Sequence, residues 1–136
     1  MSETYSIDVP VQFRDLDPLE HVNHAVYASY LETARVHYFS DVLGEYYEQA
    51  SFIVANLEIS YLQPIVRDDE PTVSVTVTDL GESSFTMTYE IDVDDGVAAT
   101  AETVLVQIDA ETGDPTPIPE PIRTRFQADA GLERTV

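Results

Sequence analysis

The sequence of 136 residues contains no cysteine, no tryptophan and no lysine. Without cysteine, the chain has no disulfide bonds, no thiolate nucleophile and no cysteine-ligated metal. No apolar run approaches the ~20 residues of a membrane-spanning helix. The N-terminal segment MSETYSID has neither the basic nor the apolar region of a secretory signal. We therefore expect a cytoplasmic protein that has no membrane partner.

Acidic residues dominate the charge, with 26 Asp and Glu against six basic residues and a net charge of −20. Such a surface repels phosphate backbones, so we expect no nucleic-acid partner. The 43% hydrophobic content and its clear periodicity argue against a disordered acidic chain. Molar salt shortens the Debye length to about 3 Å and screens the self-repulsion of the surface. The composition therefore predicts a halophilic source.

Apolar periodicity predicts five strands and one long helix. The helix follows Asn23, which is a good N-cap, and Gly44 is its expected end. The strands are expected at residues 5–13, 52–62, 73–78, 85–93 and 97–108.

Strands joined by short turns pair antiparallel, and the single helix must cover the apolar face of the sheet. The sequence therefore predicts an α+β fold, a five-stranded antiparallel sheet curled around one long central helix. We expect a single domain over residues 1–136 with its core in about 5–110. Prolines mark residues 111–136 as a tail, with a short helical stretch near 122–126.

The loop before the helix carries the candidate chemistry. Asp15 and Asp17 lie just upstream of a helix N-terminus, whose free N–H groups can polarise a carbonyl oxygen while a carboxylate attacks it or activates a water. His21 and His24 are three residues apart, a spacing that could also bind a metal with Asp17 and Glu20. The intervening Asn and Pro fit turn and cap roles better, so we expect no metal site.

Four motifs in order resemble the hotdog-fold acyl-CoA thioesterases of the 4-hydroxybenzoyl-CoA thioesterase type. They are DLD at 15–17, HVNHAVY at 21–27, ETAR at 32–35 and YLQP at 61–64. The resemblance covers roughly residues 5–126. It implies the hotdog fold and an enzyme that hydrolyses an acyl-CoA thioester to free acid and CoA, with no cofactor.

The resemblance implies that Asp17 is the nucleophile or general base, assisted by His24. It also implies that a backbone N–H at His24 or Ala25 polarises the thioester carbonyl. The candidate substrate-binding residues are His21, Asn23, Tyr27, Tyr61, Pro64 and Arg67. The partner is an acyl-CoA, and the expected assembly is a homodimer or homotetramer with the site at the subunit interface. One departure from the family is Glu20, where a glycine commonly precedes H-V-N.

Two other readings remain open. Hotdog enoyl-CoA hydratases carry D-x-N-P-x-H, which Asp15 to His21 resemble, although the Asn is Asp here and the His falls one residue late. A non-catalytic acyl-CoA-binding domain would keep the pocket and not need Asp17. Glu32 and Arg35 fit an intrahelical ion pair as well as a role in the site. The sequence leaves the acyl group and its length undefined.

Overall fold

The computed structural model describes residues 4–130 of the chain. Their elements, in chain order, are β1 (Tyr5–Asp8), a 3-10 turn (Phe13–Asp15), α1 (Val26–Leu43), a 3-10 helix (Gly44–Gln49), β2 (Phe52–Tyr61), β3 (Thr72–Leu80), β4 (Ser84–Val93), β5 (Gly96–Gln107) and α2 (Glu120–Ala130).

The five strands form one antiparallel sheet in the order β1-β3-β4-β5-β2. Consecutive hairpins build its centre, where Gly81 lies in the β3–β4 turn and Gly96 begins β5 directly after the β4–β5 turn. Gly96 has a φ of 131°, which a residue with a side chain rarely adopts. The strand β2 pairs only with β5 and is therefore an edge of the sheet. The predicted α+β fold, an antiparallel sheet with one long helix, is confirmed.

The core lies between α1 and the inner face of the sheet. Alternate residues of β3 and β4 point inward, as the period-two pattern predicts. The buried residues of α1 recur at helical spacing and meet them. The largest fully buried side chains are Tyr38, Tyr89, Phe85, Phe126, Leu31, Leu43, Ile65, Met87, Ile91, Leu105, Ile122 and Val73.

The first strand is shorter than predicted. Alternation runs from residue 5 to 13, but strand pairing ends at Asp8, and the Val9 N–H then donates to the carbonyl of Pro71 at 2.9 Å. Pro10 has no N–H to extend the ladder. Phe13, the last residue of the predicted strand, is 82% exposed in a 3-10 turn. The chain thus leaves the sheet early and frees residues 10–25 to form a loop at the start of α1.

The C-terminal segment contributes more to the core than expected. The helix α2 (Glu120–Ala130) is longer than the predicted 122–126 stretch, and Pro121 fits its first turn. Ile122 and Phe126 are fully buried, and Ile118 is nearly so. The hydrophobic core therefore extends beyond residues 5–110. The organisation as a single domain over residues 1–136 stays a prediction.

Among residues 4–130, neither α-helix is both long enough and apolar enough to cross a membrane.

Candidate active site

A tight loop precedes α1 and is closed by backbone hydrogen bonds. Leu16 and Val22 form an isolated antiparallel bridge. The Asp17 N–H donates to the carbonyl of His21 at 2.8 Å, and the Glu20 N–H donates to the carbonyl of Asp17 at 2.9 Å. Glu20 completes the turn with a φ of 62°. This geometry fixes the position of Asp17 beside the start of the helix.

The two carboxylate oxygens of Asp17 have different surroundings. Oδ1 accepts the N–H groups of Leu19 at 2.9 Å and His21 at 3.1 Å. Oδ2 has no hydrogen bond to any residue in the range 4–130. The side chain is half-buried. One oxygen therefore holds the loop while the other remains available to a bound molecule.

Asp15, the first carboxylate of the loop, is committed to structure. Its Oδ2 accepts the N–H of Gln12 and the hydroxyl of Tyr30, both at 2.8 Å. Its carbonyl accepts the N–H of Asn23 at 2.8 Å. Burial raises the pKa of the Tyr30 hydroxyl, and the bond to Asp15 raises that pKa further. Asp15 thus ties both ends of the loop together and to α1.

The helix begins later than predicted. It starts at Val26 with Ala25 as its cap residue, and Asn23 is therefore not the N-cap. The Asn23 side chain instead closes a turn one step earlier, since its Oδ1 accepts the N–H of Ala25 at 2.9 Å. That bond occupies one of the two N–H groups expected to polarise a carbonyl. The N–H of His24 has no acceptor among the described residues.

A cleft of about 390 Å³ lies at the start of α1. We call it the helix-start cleft. Six of the nine predicted site residues line it, namely Asp17, His21, His24, Tyr27, Tyr61 and Pro64, together with Val22, Leu62 and Gln63. The strand end, the loop and the helix start therefore converge as the sequence motifs imply. Asn23, Ala25 and Arg67 do not line this cleft.

Tyr61 connects the end of β2 to the start of α1. Its hydroxyl donates to the carbonyl of His24 at 3.0 Å. Its ring meets that of Tyr27 edge to face at 4.9 Å. Tyr27 is buried, and burial raises the pKa of its hydroxyl. His24 is exposed, with its ring edge-on to Tyr61 at 6.2 Å. The cleft that Asp17 lines therefore also contains two tyrosine rings and two histidines.

Arg67 lies in a neighbouring recess of about 460 Å³ that it shares with Leu19, Glu20, His21, Val66 and Asp68. Its guanidinium is 3.6 Å from the Glu20 carboxylate, and both side chains are exposed. Because His21 lines both cavities, the recess adjoins the helix-start cleft. Arg67 thus lies beside the helix-start cleft and does not line it.

The structure contains a second cleft that sequence reasoning did not identify. It has a volume of about 390 Å³ and lies between α1 and the beginning of β2. Its lining comprises Glu32, Arg35, Val36, Phe39, Tyr47, Ala50, Ser51, Phe52, Val54 and Leu105. We call it the arginine cleft. The ETAR motif is the one sequence feature within it, and its Glu32–Arg35 pair is long, at 3.9 Å.

No group of three or more His, Asp or Glu side chains within residues 4–130 converges to hold a metal ion. Two of the four potential metal donors in the loop have other partners, since Asp17 accepts the N–H of Leu19 and Glu20 faces Arg67. The absence of a metal in the reaction stays a prediction from the sequence.

Comparison with known proteins places these features in a family. The sequence model described as the thioesterase-like superfamily matches residues 11–126. A thioesterase from Thermus thermophilus, solved in complex with coenzyme A and Zn, is 43% identical, with a TM-score of 0.84 over 93% of this chain and 94% of that chain.

Two further relatives are more distant. The uncharacterized protein YsmA of Bacillus subtilis (strain 168) is 29% identical over 108 residues, 77% of this chain and 73% of its own length. A hypothetical protein from Staphylococcus aureus, solved in complex with CoA, has a TM-score of 0.88 at 17% identity, covering 100% of this chain and 89% of that chain. At that identity the likeness establishes the fold alone.

Proposed function

The chain belongs to the thioesterase-like superfamily, and on that premise we propose that it hydrolyses an acyl-CoA thioester to a free acid and CoA. The observation that carries the proposal is the free Oδ2 of Asp17 in the same cleft as His24, whose backbone N–H has no acceptor among the described residues. A carboxylate and an oxyanion donor are the two groups that acyl transfer needs. The CoA-bound thioesterase from Thermus thermophilus supports CoA as the handle.

Asp17 has two routes to the same products. As a general base, Oδ2 takes a proton from water while the water oxygen attacks the carbonyl carbon. As a nucleophile, Oδ2 attacks that carbon itself, and water then hydrolyses the resulting anhydride. In both routes the C–S bond breaks, and the departing CoA thiolate takes up a proton. The His24 N–H and the helix N-terminus stabilise the oxyanion, and the His24 imidazole orients substrate or moves a proton.

The other predicted residues take positions around this centre. Tyr27, Tyr61 and Pro64 form walls for the acyl–pantetheine junction, and His21 supports the loop through its backbone. Asn23 acts indirectly, because it holds the N–H of Ala25 and leaves the N–H of His24 for the carbonyl. We assign Arg67 to the phosphates of CoA, which would displace its long contact with Glu20.

We also propose that two copies pair through β2. The outer edge of this strand has no neighbour among residues 4–130. The side chains of Ile53, Val54, Leu57 and Tyr61 on the strand, and of Leu62 just after it, are 42–59% exposed. A second copy added antiparallel would satisfy the free ladder and cover these side chains. Tyr61 lies on this edge and in the helix-start cleft, so the pairing would place the site at the interface.

Replacing Leu57 by Lys tests the assembly. The variant is expected to be monomeric in sedimentation and to lose most of its activity, because a buried ammonium has no partner there. Thr100 is exposed on β5, away from the edge, and Thr100→Lys is the matched control. A fully active monomer of the unaltered protein would exclude a shared site.

Replacing Asp17 by Asn tests the chemistry. The amide oxygen still accepts the N–H groups of Leu19 and His21, so the loop should persist. The amide nitrogen neither attacks nor accepts a proton, so kcat for acyl-CoA hydrolysis should fall by roughly 10²–10⁴-fold. Asp94→Asn, in the exposed β4–β5 turn, is the control. Hydrolysis by the Asp17 variant at the unaltered rate would reject the mechanism, while acyl-CoA binding without hydrolysis by either protein would favour a binding domain.

The acidic surface relates to the salt concentration in which the protein is stable. None of the described Asp and Glu side chains is buried, and two ion pairs were found within residues 4–130. We propose a halophilic host, in which salt screens this repulsion. The free energy of unfolding should rise as KCl increases from about 0.1 M to about 1 M, where the Debye length shortens to about 3 Å. A constant free energy across that range would count against the proposal.

A further inference from the structure

The arginine cleft combines apolar side chains with a charged group. Its walls include Phe39, Phe52, Val54 and Leu105, and the Arg35 guanidinium lies among them. The Arg35 side chain is 11% exposed. A charge that is largely withdrawn from water is stable only when other groups compensate it. The groups around Arg35 therefore decide what the cleft can bind.

Compensation of the Arg35 charge within the chain is weak. Nη1 donates to the hydroxyl of Tyr89 at 3.2 Å, and that hydroxyl is shared with Thr103 at 2.7 Å. The Glu32 carboxylate is 3.9 Å from Nη2 and is 71% exposed, so it is solvated and too distant for a hydrogen bond. Nε and Nη2 have no acceptor among the described residues. In the described range no wholly buried side-chain nitrogen lacks a partner, so these two nitrogens reach the cleft surface.

Within one subunit the arginine cleft is distant from Asp17. Val54 lines it near the start of β2, and Tyr61 lines the helix-start cleft at the end of the same strand. The two residues are separated by seven positions, roughly 23 Å along an extended strand. A short acyl group bound at Asp17 would not span that separation.

The proposed β2 pairing removes this separation. An antiparallel pairing of the two β2 strands over their full length sets Phe52, the first residue of one strand, opposite Tyr61, the last residue of β2 in the partner subunit. The arginine cleft of one subunit then adjoins the helix-start cleft of the other. An acyl chain whose thioester lies at one subunit's Asp17 would extend into the partner's apolar walls and end near its Arg35.

We infer that Arg35 recognises a carboxylate at the far end of the acyl group, so that the preferred substrates are ω-carboxyacyl-CoA thioesters. This inference rests on the proposed thioesterase function and on the β2 dimer. A carboxylate oxygen would accept the free N–H groups of Nε and Nη2 as a bidentate pair, the geometry that guanidinium favours. The aliphatic part of the acyl chain would lie against Phe39, Phe52 and Leu105.

The test compares matched substrates that differ only at the far end. The pairs are succinyl-CoA with butyryl-CoA, adipoyl-CoA with hexanoyl-CoA, and suberoyl-CoA with octanoyl-CoA. At the chain length that reaches Arg35, kcat/KM for the carboxylated member should exceed that of its partner by at least about tenfold. Equal values, or a preference for the simple acyl group at every length, would overturn the inference.

Variants of Arg35 assign the preference to the guanidinium. Arg35→Met should reduce the ratio of the two kcat/KM values to about one. Arg35→Lys should retain part of the preference, because lysine keeps the positive charge but lacks the planar guanidinium that forms two parallel hydrogen bonds. Arg14 is exposed in the 3-10 turn, and Arg14→Met removes the same charge while leaving the ratio unchanged. If Arg35→Met does not fold, the ratio measured for Arg35→Lys decides. An undiminished ratio in the folded variant would overturn the role of Arg35.

Failure of the proposed function gives a different result. If the unaltered protein hydrolyses none of the six thioesters, the thioesterase proposal fails, and calorimetric binding of the same pairs then tests Arg35. Tighter binding of the carboxylated members by at least about tenfold would support the inference without catalysis. Indiscriminate hydrolysis, by contrast, would leave the enzyme intact and reject the inference alone.

Discussion

The two ends of α1 are held in place by different forces. At its start, the loop of residues 13–25 is fixed by two aspartates and by backbone hydrogen bonds, and its apolar side chains Phe13 and Leu19 are exposed. At its end, aromatic rings from α1, β2, β4 and α2 pack together. Apolar burial carries most of the stability of a fold, whereas a polar loop is free to specialise. We therefore expect substitutions to affect stability at one end and activity at the other.

Phe126→Ala should cause the largest loss of stability at the C-terminal end of α1. The Phe126 ring is fully buried, 4.9 Å from Phe85 and stacked on Tyr38. Its loss should lower the free energy of unfolding by about 3–5 kcal/mol, measured by urea denaturation. The control is Phe13→Ala, because Phe13 is 82% exposed and its removal should change stability by no more than about 0.5 kcal/mol. Equal effects of the two substitutions would refute the difference between the ends.

Asp15→Ala should lower both stability and activity. It removes the acceptor of the Gln12 N–H and of the Tyr30 hydroxyl. Leaving these donors unpaired should cost about 1–3 kcal/mol of unfolding free energy. Because the same loop positions Asp17, kcat/KM for an acyl-CoA should also fall, by roughly ten- to hundredfold.

The control for this change is Tyr30→Phe, which removes the bond to α1 and leaves the Gln12 contact intact. It should reproduce part of the stability loss and little of the activity loss. Full activity in a stable Asp15→Ala variant would mean that the loop is held by its backbone bonds alone.

Much of the fold was predictable, because alternation in β3 and β4 directly reports a half-buried strand. The end of β1 was not predictable, since Pro10 interrupts the pairing without interrupting the alternation. The cap assignment failed for a related reason: Asn23 closes a turn that precedes the helix, and the sequence pattern of a turn and a cap is the same.

The candidate site was partly predictable. Six residues of the helix-start cleft were identified from sequence motifs. They lie in two short segments, 17–27 and 61–64, and each segment can be recognised as a motif without knowledge of the fold. The arginine cleft escaped prediction, because its walls come from α1, β2 and β5, which are distant in sequence. Only the packed structure shows that the guanidinium of Arg35 is nearly buried and weakly paired.

A pH series tests whether the aromatic cluster at the C-terminal end of α1 excludes solvent. The buried Tyr38 hydroxyl donates to Asp129 at 2.8 Å, and burial, followed by this bond, raises its pKa above the ordinary value. The folded state therefore keeps a proton that the unfolded state loses above about pH 10. Stability due to this group is complete below pH 10 and declines as pH rises further, by about 1.4 kcal/mol per pH unit.

Tyr38→Phe should remove the Tyr38 share of that decline while lowering stability near pH 8 by about 1.5–3 kcal/mol, the usual worth of a hydrogen bond to a charged group. The measurement is urea denaturation at several pH values between 8 and about 11, the range that spans the titration of free tyrosine. Parallel curves for the two proteins would mean that Tyr38 ionises equally in the folded and unfolded states, and that the aromatic end is open to solvent.

The smallest expected effect lies in the loop, at Glu20. Its φ of 62° is a left-handed conformation that costs a residue with a side chain about 1–2 kcal/mol. Glycine adopts it without strain, although it adds about 0.4–1 kcal/mol of unfolded-state entropy. The exposed contact with Arg67 at 3.6 Å contributes little to stability.

Glu20→Gly should therefore stabilise the protein by up to about 1 kcal/mol in urea denaturation. The control for the entropy term is Glu70→Gly, at an exposed position before β3. A loss of stability would show that the Glu20–Arg67 pair outweighs the backbone strain, and that charge pairing, as well as backbone geometry, shapes the loop that carries Asp17.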